Sequence, residues 1–279
     1  MNYNSPLMLL LLFFIASVIP VISHLPHRIS KARRSTQRDK ALVDKEALLT
    51  VDDLFKQWLN VQYNSKTGKR SPHTEQLLME IKVLLDEFPI SAEVLYRKSF
   101  LQLELGNWFI AIEDKDQAMK ALSSAEQYAN DALKTDIYPA DTHRVLAEAL
   151  MGQIRFKGPM FTLSATSKIK QALKKAFDLA PKSAFNHIAL GKLFFFMPPM
   201  AGGNPEKAIM HLRVASELVN SHAYVQFLAR VWLGIVLASL NQGQEAQAAF
   251  EKALDIYPKS SWASKKLNEL QKGGDSNDR

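Results

Sequence analysis

The chain has 279 residues, 47% of them hydrophobic and 23% charged, a globular balance that excludes a wholly disordered polypeptide. It has no cysteine, which excludes disulfide scaffolds, thiol catalysis and zinc ribbons. The formal net charge of +7 is local: residues 24–45 hold seven Lys or Arg against two Asp, the residues after them carry only +2, and the body lacks the basic face that nucleic-acid binding needs.

The first element is an apolar run from Leu7 to Ile22, closed by Pro20 and by the small residue Ser23. At 1.5 Å per residue its helix would reach about 24 Å, short of a ~30 Å hydrocarbon core. It reads as a secretory signal peptide cut after Ser23, which makes the mature protein exported, periplasmic or secreted. A second reading stays open. Met1 to Pro6 has no Lys or Arg and the positive cluster follows the run, the arrangement of an anchor (residues 7–22) with the body in the cytoplasm. Residues 24–45 are polar, basic and without apolar periodicity, and read as a disordered spacer.

From 46 onward apolar residues recur at helical spacing, and the breaks fall at Gly, Pro and Asn clusters. No alternating run bounded by hairpin turns occurs, so the class is all-α. The spacing predicts five helix pairs: 50–65 with 73–88, 91–105 with 108–135, 140–156 with 165–180, 183–197 with 205–219, and 222–240 with 244–257. A last helix, Trp262 to Gln271, has the polar face of a cap, and 273–279 is a tail. Two stretches interrupt the pattern, Lys157 to Ser164 and Phe195 to Lys207.

Within the pairs the sequence repeats itself. Leu190-Gly191 and Leu233-Gly234 occupy matching places in first helices, with Phe194 three residues after the first glycine. The second helices carry apolar residues at spacings of four, three and five: Leu77, Ile81, Leu84, Pro89; Ile169, Leu173, Ala176, Pro181; Ala208, Leu212, Ala215, Asn220; Ala246, Phe250, Ala253, Pro258. Small residues let paired helices approach, large ones fill the groove between them, and Pro258 stops its helix.

This pattern resembles the tetratricopeptide repeat (TPR), best from Phe227 to Ser260, and the resemblance covers most of 73–272. It implies a right-handed superhelix of about five antiparallel pairs with a C-terminal capping helix, because one pair cannot bury its apolar face alone. The spacing here is about 40–50 residues against ~34 in the ideal repeat. Pro198 to Ala208, a Pro-rich turn followed by Gly-Gly, a helix cap and Lys-Ala, is similar to a segment of exported bacterial TPR proteins of the TRAP-transporter-associated group. It is equally consistent with a plain long loop.

Chemistry is sparse. His24, His27, His73, His143, His187, His211 and His222 form no metal-binding spacing. His187 reads as a packing residue. Glu113-Asp114-Lys115-Asp116 lacks the glycine and distal Glu of a calcium loop and reads as a solvated helix face. Gly202-Gly203-Asn204-Pro205 reads as a helix start with Asn204 as cap, or as an anion site. No catalytic, metal or cofactor motif is present. The resemblance implies a non-enzymatic scaffold whose concave groove takes a protein or peptide partner. The alternative is a small apolar-ligand binding component of a solute transport system. The groove-facing residues would be Tyr96, Phe100, Phe185, Ile188, Phe195, Phe196, Val231 and Ile235, unless neighbouring helices bury them. Nucleic acid is not an expected partner, and membrane contact runs only through an uncleaved N-terminus. Phe195 and Phe196 would border the site, with Met197 and Met200 as adaptable neighbours.

Overall fold

The computed structural model describes residues 37–66, 71–134, 139–218 and 222–275. Eleven helices follow one another among them: α1 (Gln37–Tyr63), α2 (Pro72–Glu87), α3 (Ala92–Ala111), α4 (Lys115–Leu133), α5 (Pro139–Ile154), α6 (Pro159–Leu179), α7 (Ala184–Phe196), α8 (Pro205–Glu217), α9 (Ala223–Ser239), α10 (Gly243–Ile256) and α11 (Ser261–Asp275). No strand occurs among the described residues, and no described helix is long and apolar enough to cross a membrane. The apolar run 7–22 and the basic residues up to 36 lie outside the described residues.

The chain divides into two units, Met1–Asp53 and Leu54–Arg279, and the division falls inside α1. Of the first unit, residues 37–53 are described, as one stretch of helix. This helix begins inside the segment read as spacer and well before the expected start at 50. Residues 37–49 contain neither Gly nor Pro and are mostly Ala, Leu, Lys, Gln, Arg and Glu, all strong helix formers. At the other end, α11 runs on to Asp275, past the expected end at Gln271.

In the second unit α3 pairs with α4, α5 with α6, α7 with α8 and α9 with α10, and α11 packs against α10. Helices α3, α5, α7, α9 and α11 also contact one another in sequence. Helix starts are set by short polar caps: the side chains of Ser71, Ser91, Asp114, Ser183 and Asn204 accept from the backbone N–H three residues on. Asn186, fully buried, donates to the carbonyls of Ala176 at 2.8 Å and Ala180 at 3.0 Å, satisfying the end of α6 from α7.

In α6, α8 and α10 the repeated residues make the contacts between helices. All twelve apolar residues of the four spaced sets are buried. A Cβ on Gly234 would stand 2.5 Å from the Phe250 ring, and one on Gly191 would stand 2.6 Å from Leu212. Each glycine is therefore the place where one helix backbone meets a large side chain of its partner. Phe194 lies between paired helices as well, its ring stacked 5.6 Å from His211 of α8. Leu190 and Leu233 are only part-buried, and Pro258 is exposed just beyond the end of α10.

The structure adds a repeat at the α3–α4 crossing. Gly106, which reads as a helix break, sits inside α3, and its Cβ would stand 2.7 Å from Leu122 of α4. Ala118, Leu122 and Ala125, followed by Asn130, carry the same spacing, and all three apolar residues are buried. The turn after this α3–α4 crossing duplicates the turn after the α9–α10 one. Glu113 and Asn241, each seven residues after its glycine, have φ of 64° and 59°. The next residue's N–H reaches back to Phe109 O in one and Leu237 O in the other, both at 3.0 Å. This is the left-handed helix end that satisfies free carbonyls. The stretch 108–135 thus splits: 108–111 completes α3, and Glu113-Asp114 is turn and cap rather than a helix face.

The two interruptions are also ordered. Most of Lys157–Ser164 is helix, because Pro159 opens α6 at its first turn, six residues before the expected start. After α7 the chain makes a 3-10 turn at Pro199–Ala201 and a left-handed Gly202 at φ 94°. A Cβ on Gly203 would stand 1.8 Å from Met197 O, so only glycine fits. Asn204 Oδ1 accepts from Lys207 N at 2.7 Å and Pro205 follows it, the cap reading rather than an anion site.

Candidate functional site

The odd helices share one face, and it is built of rings around a group of charges. Phe55 of α1 packs 5.5 Å from Phe100 of α3, and Phe100 lies 6.4 Å from both Tyr96 and Phe185. Phe185 of α7 meets Tyr224 of α9 at 5.6 Å. Tyr63 of α1 contacts Tyr224, Phe227 and Trp262 at 6.4, 5.6 and 6.4 Å. The series continues through Trp262–Trp232 at 5.9 Å and Trp232–Phe196 at 5.7 Å to Phe195.

Four charged side chains sit among these rings. Arg144 of α5 is 1% exposed; its Nη1 donates to Glu148 Oε1 at 2.8 Å, and its guanidinium lies 4.5 Å over Phe185. Lys192 Nζ donates to Glu148 Oε2 at 2.6 Å and lies 5.5 Å over Trp232. The Tyr63 hydroxyl donates to Glu104 Oε2 at 2.8 Å. Burial raises the Glu104 carboxyl pKa, and the Tyr63 hydrogen bond only partly opposes it. At Glu148 burial works upward too, but the Lys192 and Arg144 charges outweigh it and hold the carboxyl below its usual range. Burial and the Glu104 charge raise the Tyr63 phenol well above its usual value.

The expected groove residues divide. Phe100, Ile188 and Val231 are buried, which corrects their reading as an open lining: Phe100 is covered by Phe55 from α1, and Val231 is wholly internal. Tyr96, Phe185, Phe195 and Ile235 are part-buried, and Phe196 is 61% exposed. Met200 is also exposed. Tyr63, Glu104, Arg144, Glu148, Lys192 and Tyr224 are additions from the structure. The one sequence signal for them is Glu104 inside Leu103-Glu104-Leu105, a carboxylate where the helix is otherwise apolar.

Away from this face, His187 Nδ1 lies 2.9 Å from His211 Nδ1, and His187 Nε2 lies 3.0 Å from Pro181 O. With Nε2–H donating to the carbonyl, Nδ1 of His187 accepts from His211, and both rings are neutral. Burial, His187 and Lys207 together push His211 down to about 4. His187 is a packing residue, as expected. No group of three or more metal-binding side chains occurs among the described residues. Two open clefts, about 240 and 420 Å³, are edged largely by lysine and other polar side chains, and neither includes a ring of the odd-helix face.

This is the arrangement of a helical-repeat protein: antiparallel pairs, crossing at small residues, stacked in chain order. The repeat is the tetratricopeptide one in fold. The chain is similar to TTC0263, a thermophilic TPR protein in Thermus thermophilus, at TM-score 0.57 and 20% identity over 82% of this chain and 98% of that one. Its match to YrrB, described as a TPR protein with an unusual peptide-binding site, has TM-score 0.37 and 18% identity over 70% of this chain and 87% of that one. No family model matches the sequence, and no curated protein matches it.

Proposed function

We propose that the chain is a non-enzymatic scaffold that holds a protein or peptide partner on the odd-helix face, at its Phe195–Phe196–Trp232 end. The observation that carries this reading is Phe196, 61% exposed at the end of a continuous series of rings. An exposed ring continuous with a buried aromatic face is the chemistry of an interaction site, and the cation of Lys192 beside Trp232 adds a polar anchor. The protein acts outside the cytoplasm, its leader removed after Ser23. N-terminal sequencing from the native host tests the routing. A chain beginning at His24 supports export; intact Met1 in membranes, with the body shielded from external protease, favours the cytoplasmic anchor.

The binding test is the double change Phe195→Ser with Phe196→Ser. It should leave helicity and the urea midpoint nearly unchanged while removing a protein that the wild type retains from its host's extract. Unfolding of the variant, at the ~3–5 kcal/mol expected for each truncated core Phe, would show that these rings are core.

A further inference from the structure

The odd-helix face apart from α1, that of α3, α5, α7 and α9, already has an occupant. Residues 54–66, the C-terminal half of α1 and the turn after it, lie across it from α3 to the α10–α11 connection. Phe55 seats on Phe100, and Tyr63 donates to Glu104. At the far end Ser65 O accepts from Ser261 N at 2.9 Å, Asn64 Oδ1 accepts from Lys259 N at 2.9 Å, and the Tyr257 hydroxyl donates to Asn60. These partners stand as many as 197 residues away in the chain.

What the segment helps to cover is not the chemistry of a permanent core. Glu104, Arg144, Glu148 and Lys192 are all largely buried, and burying each ion costs several kcal/mol that apolar residues would not. The covered polar groups are also incompletely paired. Trp58 Nε1 and Arg144 Nη2 are buried without a hydrogen-bond partner among the described residues. Native cores seldom leave such donors unmet.

We propose that the odd-helix face is a receptor for an aromatic amphipathic helix, and that residues 54–66 are its displaceable resident occupant. The partner it fits carries a ring eight residues before a hydroxyl-bearing ring, about 12 Å along a helix, as Phe55 and Tyr63 do. The first ring enters beside Phe100, and the hydroxyl of the second meets Glu104. This rests on the reading of that face as a binding surface and adds the kind of partner and the state in which the face is closed.

The probe is a labelled synthetic peptide of residues 54–66, followed by anisotropy with the full chain. Phe55→Ala with Tyr63→Ala should remain helical and bind the peptide at least about tenfold more tightly than the wild type, whose face is occupied. A peptide carrying Tyr63→Phe should bind about tenfold more weakly, from loss of the bond to a charged acceptor. A folded variant that gains no binding overturns the proposal. Hydrogen exchange on the wild type covers the case in which the variant fails to fold. Amides of 56–63 should exchange at least about tenfold faster than those around Ala189 and Val231, and equal protection overturns the proposal. The Phe195→Ser, Phe196→Ser variant should handle the peptide as wild type does, so loss of its partner and failure of this proposal are separate results.

Discussion

At each glycine crossing a single missing Cβ sets how near two helices come. Gly234 faces the Phe250 ring, and a Cβ there would fall 2.5 Å from it, whereas one on Gly243 would meet nothing within 4 Å. Gly234→Ala should therefore cost ~1–3 kcal/mol by overpacking. Gly243→Ala, in the first turn of α10, should be neutral or stabilising by ~0.5 kcal/mol. Urea unfolding of the two variants distinguishes them, and equal midpoints would remove Gly234 from the crossing. A second residue-scale effect concerns pH. His211 is held down to about 4 from the ordinary histidine value of 6.5. The unfolded chain takes up that proton below pH 6.5 while the folded chain refuses it until about 4. The stability is thus whole above 6.5 and declines as pH falls toward 4. His211 is part-buried, so solvent screening reduces the effect to ~1 kcal/mol. His211→Gln, which keeps a donor for His187, should narrow the difference in urea midpoint between pH 7 and pH 5. An unchanged difference would place that acid sensitivity elsewhere.

Element boundaries are legible in the sequence at most caps and prolines, with Pro159 an exception, and one is misplaced where a glycine does two jobs. Gly191 and Gly234 sit beside leucine within apolar runs and read as packing positions, and in the structure each faces a large side chain of the partner helix. Gly106 is followed by Asn107, a common turn pair, and so reads as a break, although Leu105-Gly106 with Phe109 three residues on repeats the Leu190-Gly191-Phe194 set. The helix continues because Leu122 fills the space the glycine leaves, a tertiary contact that local propensity does not contain. The segment between α7 and α8 is the opposite case, where the local signal suffices. Gly202 needs its positive φ and Gly203 its empty Cβ position against Met197 O. Gly203→Ala should force the turn open and free Asn204 N from Phe194 O, a 2.9 Å bond. The expected cost is ~1–3 kcal/mol, with faster amide exchange at the start of α8. Wild-type exchange at Lys207 and Ala208 would show that the turn accommodates a methyl.

Across the molecule the stacked pairs are readable because their spacing repeats, while the odd-helix face is not, because charges scattered one or two to a helix have no period. Glu104, Arg144, Glu148 and Lys192 come from α3, α5 and α7, and Trp232 of α9 lies under Lys192. Stability in a helical-repeat stack is largely a sum of neighbour interfaces, so a group spanning four helices ties together units that otherwise touch only the next. Truncating one member strands the others: Arg144→Ala should cost ~3–5 kcal/mol, since Glu148 keeps only Lys192. The triple change Arg144→Met, Glu148→Leu, Lys192→Met removes the three mutually paired charges together, leaving Glu104 on its Tyr63 hydrogen bond, and should be neutral, or stabilising by ~1–4 kcal/mol, because those three ions then no longer need desolvating. The single losses should therefore add up to far more than the triple, the signature of coupled neighbours in a mutant cycle. A triple variant as unstable as the sum of its singles would mean that these charges contribute independently.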